Sequence, residues 1–435
     1  MSPCDDDTHL ITLHNGVRVL TIRTPHRQTV NVSVFVHTGS QHESVRLNGI
    51  SHMVEHMAFK GTHERDCQRI NLDAERLGAE VNAHTDKDHS AFHMSGLLRD
   101  AESFVHMLGD IVQHSSFPED ELERERQVIL HEFVEDEDDA LAEAFRLFDK
   151  TCFGSHPLAQ PVIGNRRNIG RLTRADLLGY VQRQYTAANI VVAVAGDVDA
   201  ERIAQQVQAS FGAMPRGTDN QVVPPAYGGG IVSRRISGSA QTHIVLGFSI
   251  PGLKQQHHAS TLAAALFGEG MSSPLMDQLR ERRGLVYYAA CSADVMELCG
   301  QWVIEASTSP QHVDEFFVEV TRLLRMHAQT TDAVGLQRAR NQIMVRNLRT
   351  HERPTRRLEA AAMDLLALGR VRSRAEIDAA MQAVTAQQVR EAFAAMLASG
   401  ASIAIAGKVR KGLNDSVRER AGPLLRAGPP DPPRR

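Results

Sequence analysis

"LTRADLLGYVQRQYTAANIVVAVAGDVD", residues 172–199, predicts a helix capped by Thr173, followed by a buried strand that ends in Gly-Asp. The stretch "VTAQQVREAFAAMLASGASIAIAGKVR", residues 384–410, has the same order of elements. Thr173 corresponds to Thr385, so the second copy follows the first by about 212 residues along the chain. This internal repeat predicts two related halves, each built from strands and helices.

A segment rich in proline and glycine separates the two copies. This segment, "RGTDNQVVPPAYGGG", covers residues 216–230, and its composition is typical of a linker. We therefore expect a first half at 1–215, a linker at 216–232 and a second half at 233–420. The end of the chain, "AGPLLRAGPPDPPRR", predicts a disordered Pro-rich tail at 421–435.

Each half begins with segments that read as strands. The first half contains "GVRVLTIR" and "VNVSVFVHTG" near its start, and "THIVLGFSI" follows the linker in the second half. Both halves then become largely helical. The predicted fold class is α+β, with two related halves that each form a largely antiparallel sheet packed with helices.

The composition argues against several classes of protein. The 435 residues include 48 basic and 52 acidic side chains, and a net charge of -4 provides no basic surface of the kind that nucleic acid binding requires. No run approaches about 18 apolar residues, and the start "MSPCDDDTHL" lacks the apolar core of a signal peptide. The five cysteines form neither a CxxC pair nor a disulfide framework. We expect a cytoplasmic protein with no nucleic acid or membrane partner.

The segment "GISHMVEHMAFKGT", residues 49–62, carries two histidines four positions apart. On a helix, His52, Glu55 and His56 share one side, and the apolar residues between them face the other. Such a pair of histidines can share a zinc ion, with the glutamate placed as a general base. An H-x-x-E-H string also arises by chance in roughly one chain in fifteen of this composition. A buried helix with two hydrogen-bonded histidines is therefore an alternative interpretation of these residues alone.

A catalytic zinc site needs a third protein ligand, and the helix predicted from Glu119 offers candidates. The segment "EDELERERQVILHEFVEDEDDALAEAFRLF" is highly charged, but two of its carboxylates, Glu125 and Glu132, lie seven residues apart. At helical spacing they lie between Val128 and Ile129 on an apolar stripe, where a carboxylate needs a partner. That partner is either a metal ion or a basic side chain from another helix.

The segments "ISHMVEHMAFKGT" and "ERERQVILHEF" resemble the two zinc-site segments of the pitrilysin and insulin-degrading-enzyme family, peptidase family M16. They are most similar to its mitochondrial-processing-peptidase branch of bacterial type, and the separation of 76 residues between His56 and Glu132 fits that branch. The resemblance implies that His52, His56 and Glu132 bind Zn2+. It further implies that Glu55 is the catalytic base and that Glu125 is an outer carboxylate that orients the site.

The stretch "EVNAHTDKDHSAFHMSG" resembles the edge strand of the same family. The resemblance implies that Asn82, Ala83 and His84 bind an extended peptide substrate, because an edge strand has unpaired backbone groups. His84 stands where the family commonly has an aromatic residue, which leaves the preference of this pocket open. We interpret His84, His89 and His93 as pocket or surface residues rather than as a second metal site.

The stretch "FGEGMSSPLMDQLRERRGLVYYA", from Phe267, resembles the family's Gly-rich loop followed by an arginine and a tyrosine. The resemblance implies that Arg280 and Tyr287 stabilise the negative charge that develops on a carbonyl oxygen. Taken alone, an arginine within "RERR" is typical of a charged surface. The branch often has arginine where this chain has Pro274, so one contact near the loop is absent.

The resemblance implies a zinc metalloendopeptidase that hydrolyses peptide bonds in unfolded or short polypeptides, with Glu55 assisting attack by zinc-bound water. The first half would be catalytic, and the chain would form a homodimer, or a heterodimer with a related subunit, around a chamber. Two alternatives stay open. One is a non-catalytic or partner-dependent subunit of such a peptidase, against which the complete set of zinc residues argues. The other is a zinc hydrolase of a non-peptide bond, against which the edge strand argues.

Overall fold

The computed structural model describes residues 7–425, which form two compact units. Each unit combines three separate segments of the chain. The first unit contains the described residues up to Val134, Gln160–Val222 and Asn347–Glu376; the second contains Glu135–Ala159, Val223–Arg346 and the described residues from Ile377 onward. The two units therefore do not correspond to the parts of the chain before and after the predicted linker.

The first unit contains a six-stranded sheet. Its strands are β1 (Thr8–Thr12), β2 (Arg18–Arg23), β3 (Thr29–Val36), β4 (Glu80–Thr85), β5 (Ser90–Leu97) and β6 (Ile190–Gly196). Their order is β1-β2-β6-β3-β5-β4, and only β2 and β6 run parallel. Strand β4 therefore lies at an edge of the sheet.

The second unit contains a five-stranded sheet. Its strands are β7 (Gly230–Arg235), β8 (Thr242–Ile250), β9 (Val286–Val295), β10 (Gly300–Thr308) and β11 (Ser402–Gly407). The order is β7-β11-β8-β10-β9, and only β7 and β11 run parallel. Without β1, the first sheet has the same order and the same parallel pair. The predicted fold class of two related, largely antiparallel halves is confirmed.

The helices account for most of the remaining chain. Those up to Phe211 are α1 (Ile50–Ala58), α2 (Cys67–Arg76), α3 (Ala101–His114), α4 (Glu119–Asp138), α5 (Ala140–Phe153), α6 (Arg166–Ile169), α7 (Arg174–Gln184) and α8 (Ala200–Phe211). Those that follow are α9 (His258–Gly268), α10 (Pro274–Met276), α11 (Val313–His327), α12 (Ala333–Glu352), α13 (Pro354–Leu368), α14 (Arg374–Ala383), α15 (Ala386–Ser399) and α16 (Leu413–Arg420). Within residues 7–425, none of these helices combines the length and the apolar composition needed to cross a bilayer.

Helices cover both faces of each sheet. In the first unit, Leu358 of α13 belongs to a buried cluster with Phe35 and Ala91, whereas residues of α1 and α3 pack on the other face. In the second unit, Phe148 of α5 packs against Val245, and α9, α11 and α15 pack on the other face. Each sheet is thus covered on one face by a helix that lies far from that sheet's own strands in the sequence.

The repeated helix–strand pair forms the centre of each unit. Every residue of β6 and of β11 is buried, because each strand lies between two neighbours and under helices. Helices α7 and α15 both begin with a capping box, formed by Thr173 with Asp176 and by Thr385 with Gln388. The threonine-capped helices and the buried strands predicted from the repeat are both present.

The segment predicted as one helix from Glu119 is divided in two. Helix α4 ends at Asp138, and α5 begins after Asp139, whose side chain accepts hydrogen bonds from the backbone N–H groups of Leu141 and Ala142. An aspartate at this position caps a new helix because it satisfies N–H groups that have no partner within the helix.

The predicted tail does not begin at residue 421. Ala421 and Leu424 are fully buried, and the backbone N–H of Ala401 donates a hydrogen bond to the carbonyl oxygen of Leu424. The two leucines of "AGPLLRAGPPDPPRR" bury apolar area: Leu424 belongs to the core of the second unit, and Leu425 packs against it. The rest of the predicted tail, 426–435, lies outside the described residues.

Candidate metal centre

Helix α1 presents the two histidines of the H-x-x-E-H segment on one side. On its opposite side, Ile50, Met53 and Met57 are fully buried. The ring centroids of His52 and His56 lie 4.6 Å apart. Because side chains at i and i+4 are neighbours on a helix, burial of the apolar side directs both imidazoles to the same place.

A buried carboxyl group holds the start of α1. Glu43 is 3% exposed, and its oxygens accept hydrogen bonds from the backbone N–H groups of Gly49 and Ser51, each at 2.8 Å. Asn48 donates a third hydrogen bond at 2.9 Å. Gly49 has a φ of 101°, and a Cβ at this position would lie 2.9 Å from Gly164. These contacts fix where the helix begins and hence the direction of its histidines.

Helix α4 brings two glutamates to the same region. Its buried residues are Leu122, Glu125 and Ile129, at the spacing of one helix face. Val128 is 43% exposed, so the apolar stripe predicted on this helix does not include it. The side chain of Glu132 is 41% exposed. Glu125 is therefore an internal carboxylate, whereas Glu132 lies at the solvent-facing side of the site.

Three donor groups converge between α1 and α4. His52 Nε2 lies 3.8 Å from Glu132 Oε2, and His56 Nε2 lies 3.8 Å from Glu132 Oε1. One ligand atom from each of the three residues lies within 4.8 Å of the other two. These separations are too long for hydrogen bonds, and they suit ligands arranged around one ion.

Glu125 contacts the ring nitrogen of His56 that does not face Glu132. Its Oε2 lies 3.0 Å from His56 Nδ1, and its Oε1 lies 2.6 Å from Lys60 Nζ. Burial alone would raise the pKa of Glu125, but Lys60 and His56 outweigh it and hold that pKa below its ordinary value. A carboxylate on the far nitrogen of a ligating histidine fixes the tautomer that leaves Nε2 free to bind a metal.

Burial shifts the pKa values of His52 and Glu55. It lowers the pKa of His52 to about 4, with a further contribution from His56, so the His52 imidazole is neutral at neutral pH and able to act as a ligand. Burial also raises the pKa of Glu55, and the charge of Glu132 adds to this effect, against a hydrogen bond with Thr85 and the charge of His56. A carboxyl group with a raised pKa can both accept and return a proton.

The residues present fit a zinc ion. Two imidazoles and one carboxylate form the donor set of a hydrolytic zinc site, in which the fourth position belongs to water or substrate. The carboxylate behind His56 adds the usual outer support. The chain therefore consists of two related α+β units, and the first unit carries a group of side chains that could hold a metal ion.

The edge strand β4 lies beside this site. It pairs only with β5, so its outer side has no strand partner within residues 7–425. Asn82 is exposed, and its Oδ1 accepts a hydrogen bond from the backbone N–H of Ala83 at 2.8 Å. Thr85, at the end of the strand, hydrogen-bonds Glu55. The predicted edge position is confirmed, whereas peptide binding by Asn82, Ala83 and His84 stays a prediction.

Arg280 and Tyr287 lie in the second unit, as predicted from their place in the chain. Arg280 belongs to a π-helical turn, Asp277–Glu281, and its side chain is 47% exposed. Tyr287 on β9 is 58% exposed, and its hydroxyl lies 3.0 Å from Ser309 Oγ. The Gly-rich loop after α9 lines a cavity of about 680 Å³. Their role as oxyanion donors stays a prediction.

Three supporting residues were not found from the sequence. Lys60 lies four residues after His56, so helical spacing could have indicated its contact with Glu125. Glu43 lies only six residues before Gly49, but its contact with the start of α1 follows no regular spacing. Thr85 reaches Glu55 only after the intervening chain has folded.

Two sequence models of one peptidase family match the chain in succession. The model described as Insulinase (Peptidase family M16) matches residues 18–166, and the one described as Peptidase M16 inactive domain matches residues 171–343. A Mycobacterium tuberculosis protein named as an uncharacterized zinc protease is 34% identical over 328 residues, which cover 72% of this chain and 72% of that protein. The chain belongs to peptidase family M16, the insulinase family.

Other similar proteins match most of the length of this chain. The Bos taurus protein named as cytochrome b-c1 complex subunit 1, mitochondrial, is 29% identical over 404 residues, which cover 88% of this chain and 83% of that protein. The crystal structure of a protease from Helicobacter pylori superposes with a TM-score of 0.83 at 19% identity, covering 92% of this chain and 99% of that one. The structural similarity shows a shared fold.

Proposed function

We propose that this chain is a zinc metalloendopeptidase that cleaves unfolded or short polypeptides. The observation that carries the proposal is the convergence of ligand atoms from His52, His56 and Glu132 within 4.8 Å of one another, with Glu55 on the same helix as the two histidines. Membership of peptidase family M16 and relatives named as zinc proteases support the choice of metal.

Each residue has a defined task in this proposal. His52, His56 and Glu132 would hold a zinc ion, which supplies the Lewis acidity that lowers the pKa of water and polarises a carbonyl group. Glu55 accepts the proton of the attacking water and then donates it to the leaving amine, as its raised pKa allows. Glu125 keeps the proton of His56 on Nδ1.

Arg280 and Tyr287 complete the proposed chemistry. A guanidinium and a phenol both donate hydrogen bonds, and both side chains are about half exposed and accessible to another molecule. We propose that the second unit of a paired chain supplies them to the carbonyl oxygen as it gains negative charge.

The edge strand supports the choice of substrate. Free backbone groups on the outer side of β4 can pair with any extended peptide, so recognition does not require a fixed side-chain sequence. A folded domain cannot offer an extended segment without local unfolding. We therefore expect cleavage of unfolded chains and sparing of compact domains of equal length.

Two substitutions separate metal binding from chemistry. Glu132→Gln removes one of three ligands and should lose most of the zinc, whereas Glu55→Gln should retain zinc and lose about 10²–10⁴-fold in peptide cleavage. Zinc per chain is measured by inductively coupled plasma mass spectrometry, and cleavage with a library of quenched peptides. The matched control is Glu123→Gln, an exposed glutamate of α4, which should behave as wild type.

The same experiments also test the alternative that this chain is a non-catalytic subunit. The similarity to a protein named as a subunit of the cytochrome b-c1 complex motivates that alternative. A chain that binds zinc, forms its dimer and cleaves no peptide would support that alternative. Near-normal turnover by Glu55→Gln would show instead that the base has been wrongly assigned.

A further inference from the structure

A second group of metal-binding side chains lies on the other face of the β4–β5 hairpin. Ala83 packs with the cluster that contains α1, so its neighbour His84 points to the opposite face, which α13 covers. His93 lies on this same face, beside Phe35 at a ring-centroid distance of 5.7 Å. The sheet thus separates this group from the candidate zinc centre, and both belong to the first unit.

Three donor groups from three places in the chain converge here. His84 Nε2 lies 3.2 Å from His89 Nε2 and 3.8 Å from Glu359 Oε1. One ligand atom from each residue lies within 4.8 Å of the other two, the same criterion that the first centre meets. Two ligands held by about 2.0–2.1 Å bonds to a tetrahedral zinc ion lie about 3.3 Å apart, close to the separation of the two nitrogens.

Each of the three donor residues also contacts a further side chain that orients it. Asp88 Oδ1 lies 2.7 Å from His89 Nδ1, and His93 Nε2 lies 3.2 Å from His84 Nδ1. Arg356 binds the other oxygen of the glutamate at 2.9 Å. Outer partners of this kind orient ligands and select the ring nitrogen that faces the metal. The arrangement has the support expected of a built site and not of a chance contact between histidines.

The hydrogen bonds are complete both without and with an ion. Without one, His89 donates from Nδ1 to Asp88, His84 donates from Nε2 to His89, and His93 donates from Nε2 to His84. With one, both facing Nε2 atoms are ligands, His84 donates from Nδ1 to His93, and His93 donates from Nδ1 to Ser33, which lies 2.7 Å away. Binding moves protons between ring nitrogens, and each of the three rings carries one proton both before and after it.

The local charges favour a cation. Burial lowers the pKa of His84, and it lowers the pKa of His93 to about 4, so both rings are neutral at neutral pH. Asp86, Asp88 and Glu359 favour positive charge in this group, whereas Arg356 and the neighbouring His89 oppose it at His84. Imidazole and carboxylate ligands suit zinc better than calcium or magnesium, which prefer oxygen alone.

We propose that His84, His89 and Glu359 bind a second zinc ion. The ion joins the edge strand β4 to helix α13 within the first unit, from the face opposite the candidate catalytic centre. The proposal does not depend on the function of that centre, because the two sets of ligands share no residue.

The test is the zinc content of four variants after equilibration with zinc and gel filtration. Wild type should hold about two zinc ions per chain, and Glu359→Gln and His84→Gln should each hold about one. Glu132→Gln should also hold about one, and the double variant Glu132→Gln/Glu359→Gln should hold almost none. The control is His26→Ala, an exposed histidine in a turn, which should match wild type.

The outcomes separate this proposal from the proposed function. If wild type holds one ion that Glu132→Gln loses and Glu359→Gln keeps, the histidines form only a hydrogen-bonded chain and the second site does not exist. If Glu132→Gln keeps its zinc while Glu359→Gln loses one, the second site stands and the catalytic assignment fails.

A second set of measurements tests whether the variants are folded and whether zinc stabilises them. Glu359→Gln leaves the histidine chain intact, so its circular dichroism should match wild type. In the Glu132→Gln background, zinc should raise the melting temperature, because an ion that binds only the folded chain stabilises it. Equal stabilisation by zinc in the double variant Glu132→Gln/Glu359→Gln would overturn the proposal.

Discussion

Glu125 is the residue of α4 that orients His56 in the candidate metal centre. Both of its oxygens are occupied, one by the far nitrogen of His56 and one by Lys60. The corresponding nitrogen of His52, Nδ1, is buried and has no hydrogen-bond partner among the described residues. Only one of the two histidines is therefore oriented by a carboxylate, which makes the site sensitive to this one side chain.

We expect Glu125→Gln to weaken zinc binding by about 10–100-fold without unfolding the chain, because the amide has nearly the same shape but lacks the charge that polarises His56. Competition with a chromophoric chelator measures the affinity. Glu123→Gln, two residues earlier and paired with Arg126 at 2.9 Å, is the matched control. Equal affinities for the two variants would mean that Glu125 serves packing alone.

The capped helices α7 and α15 are the elements in which the two units can be compared directly. In α7, Thr173 Oγ1 accepts from the Asp176 N–H at 3.2 Å, and Asp176 Oδ2 accepts from the Thr173 N–H at 3.0 Å. In α15, Gln388 takes the place of the aspartate, at 3.2 and 2.8 Å. One box therefore contains a titratable group and the other does not.

We expect Thr173→Ala and Thr385→Ala each to lower the free energy of unfolding by about 1 kcal/mol at neutral pH, since each leaves helix N–H groups unsatisfied. The hydrogen bond from Thr173 holds the pKa of Asp176 below its ordinary value. Its contribution is present above the unfolded pKa and is lost as pH falls through the folded pKa. The cost of Thr173→Ala should therefore shrink with acidification, whereas that of Thr385→Ala should not. Urea unfolding at several pH values measures both, and identical pH dependence would contradict the assignment.

At the scale of the whole molecule, the proposed chemistry is divided between the units. The candidate metal ligands belong to the first unit, and Arg280 with Tyr287 belongs to the second. The family resemblance implies that paired chains complete each other's sites. A dimer with this property has a distinctive response when two different defects are mixed.

We expect inactive Glu55→Gln and Tyr287→Phe homodimers to regain activity when they exchange subunits. A mixed dimer with shared sites contains one intact site and one with both defects, so activity should rise to about a quarter of wild type after random exchange. Native mass spectrometry confirms that mixed dimers form. Mixed dimers without a rise in activity would contradict the shared site, and a preparation of monomers alone would point to a related partner chain.

Much of the fold and of the first centre was predictable because the signals are local. The H-x-x-E-H spacing needs only one helix, and the capped helix with its buried strand needs only about 28 adjacent residues. The convergence of His84, His89 and Glu359 was not predictable in this way. The histidines were interpreted as pocket or surface residues, and Glu359 lies on a helix that reaches them only through packing on the sheet.

The sequence by itself determined that two related α+β units exist, where their capped helices and buried strands lie, and which helix carries the paired histidines, since periodicity and capping act between neighbouring residues. Tertiary structure alone decided that β6 inserts between β2 and β3, that α13 covers the first sheet and α5 the second, and that Thr85 and Glu359 reach the side chains that they contact. These contacts depend on which apolar faces remain exposed after local structure has formed, and burying those faces is a property of the whole chain.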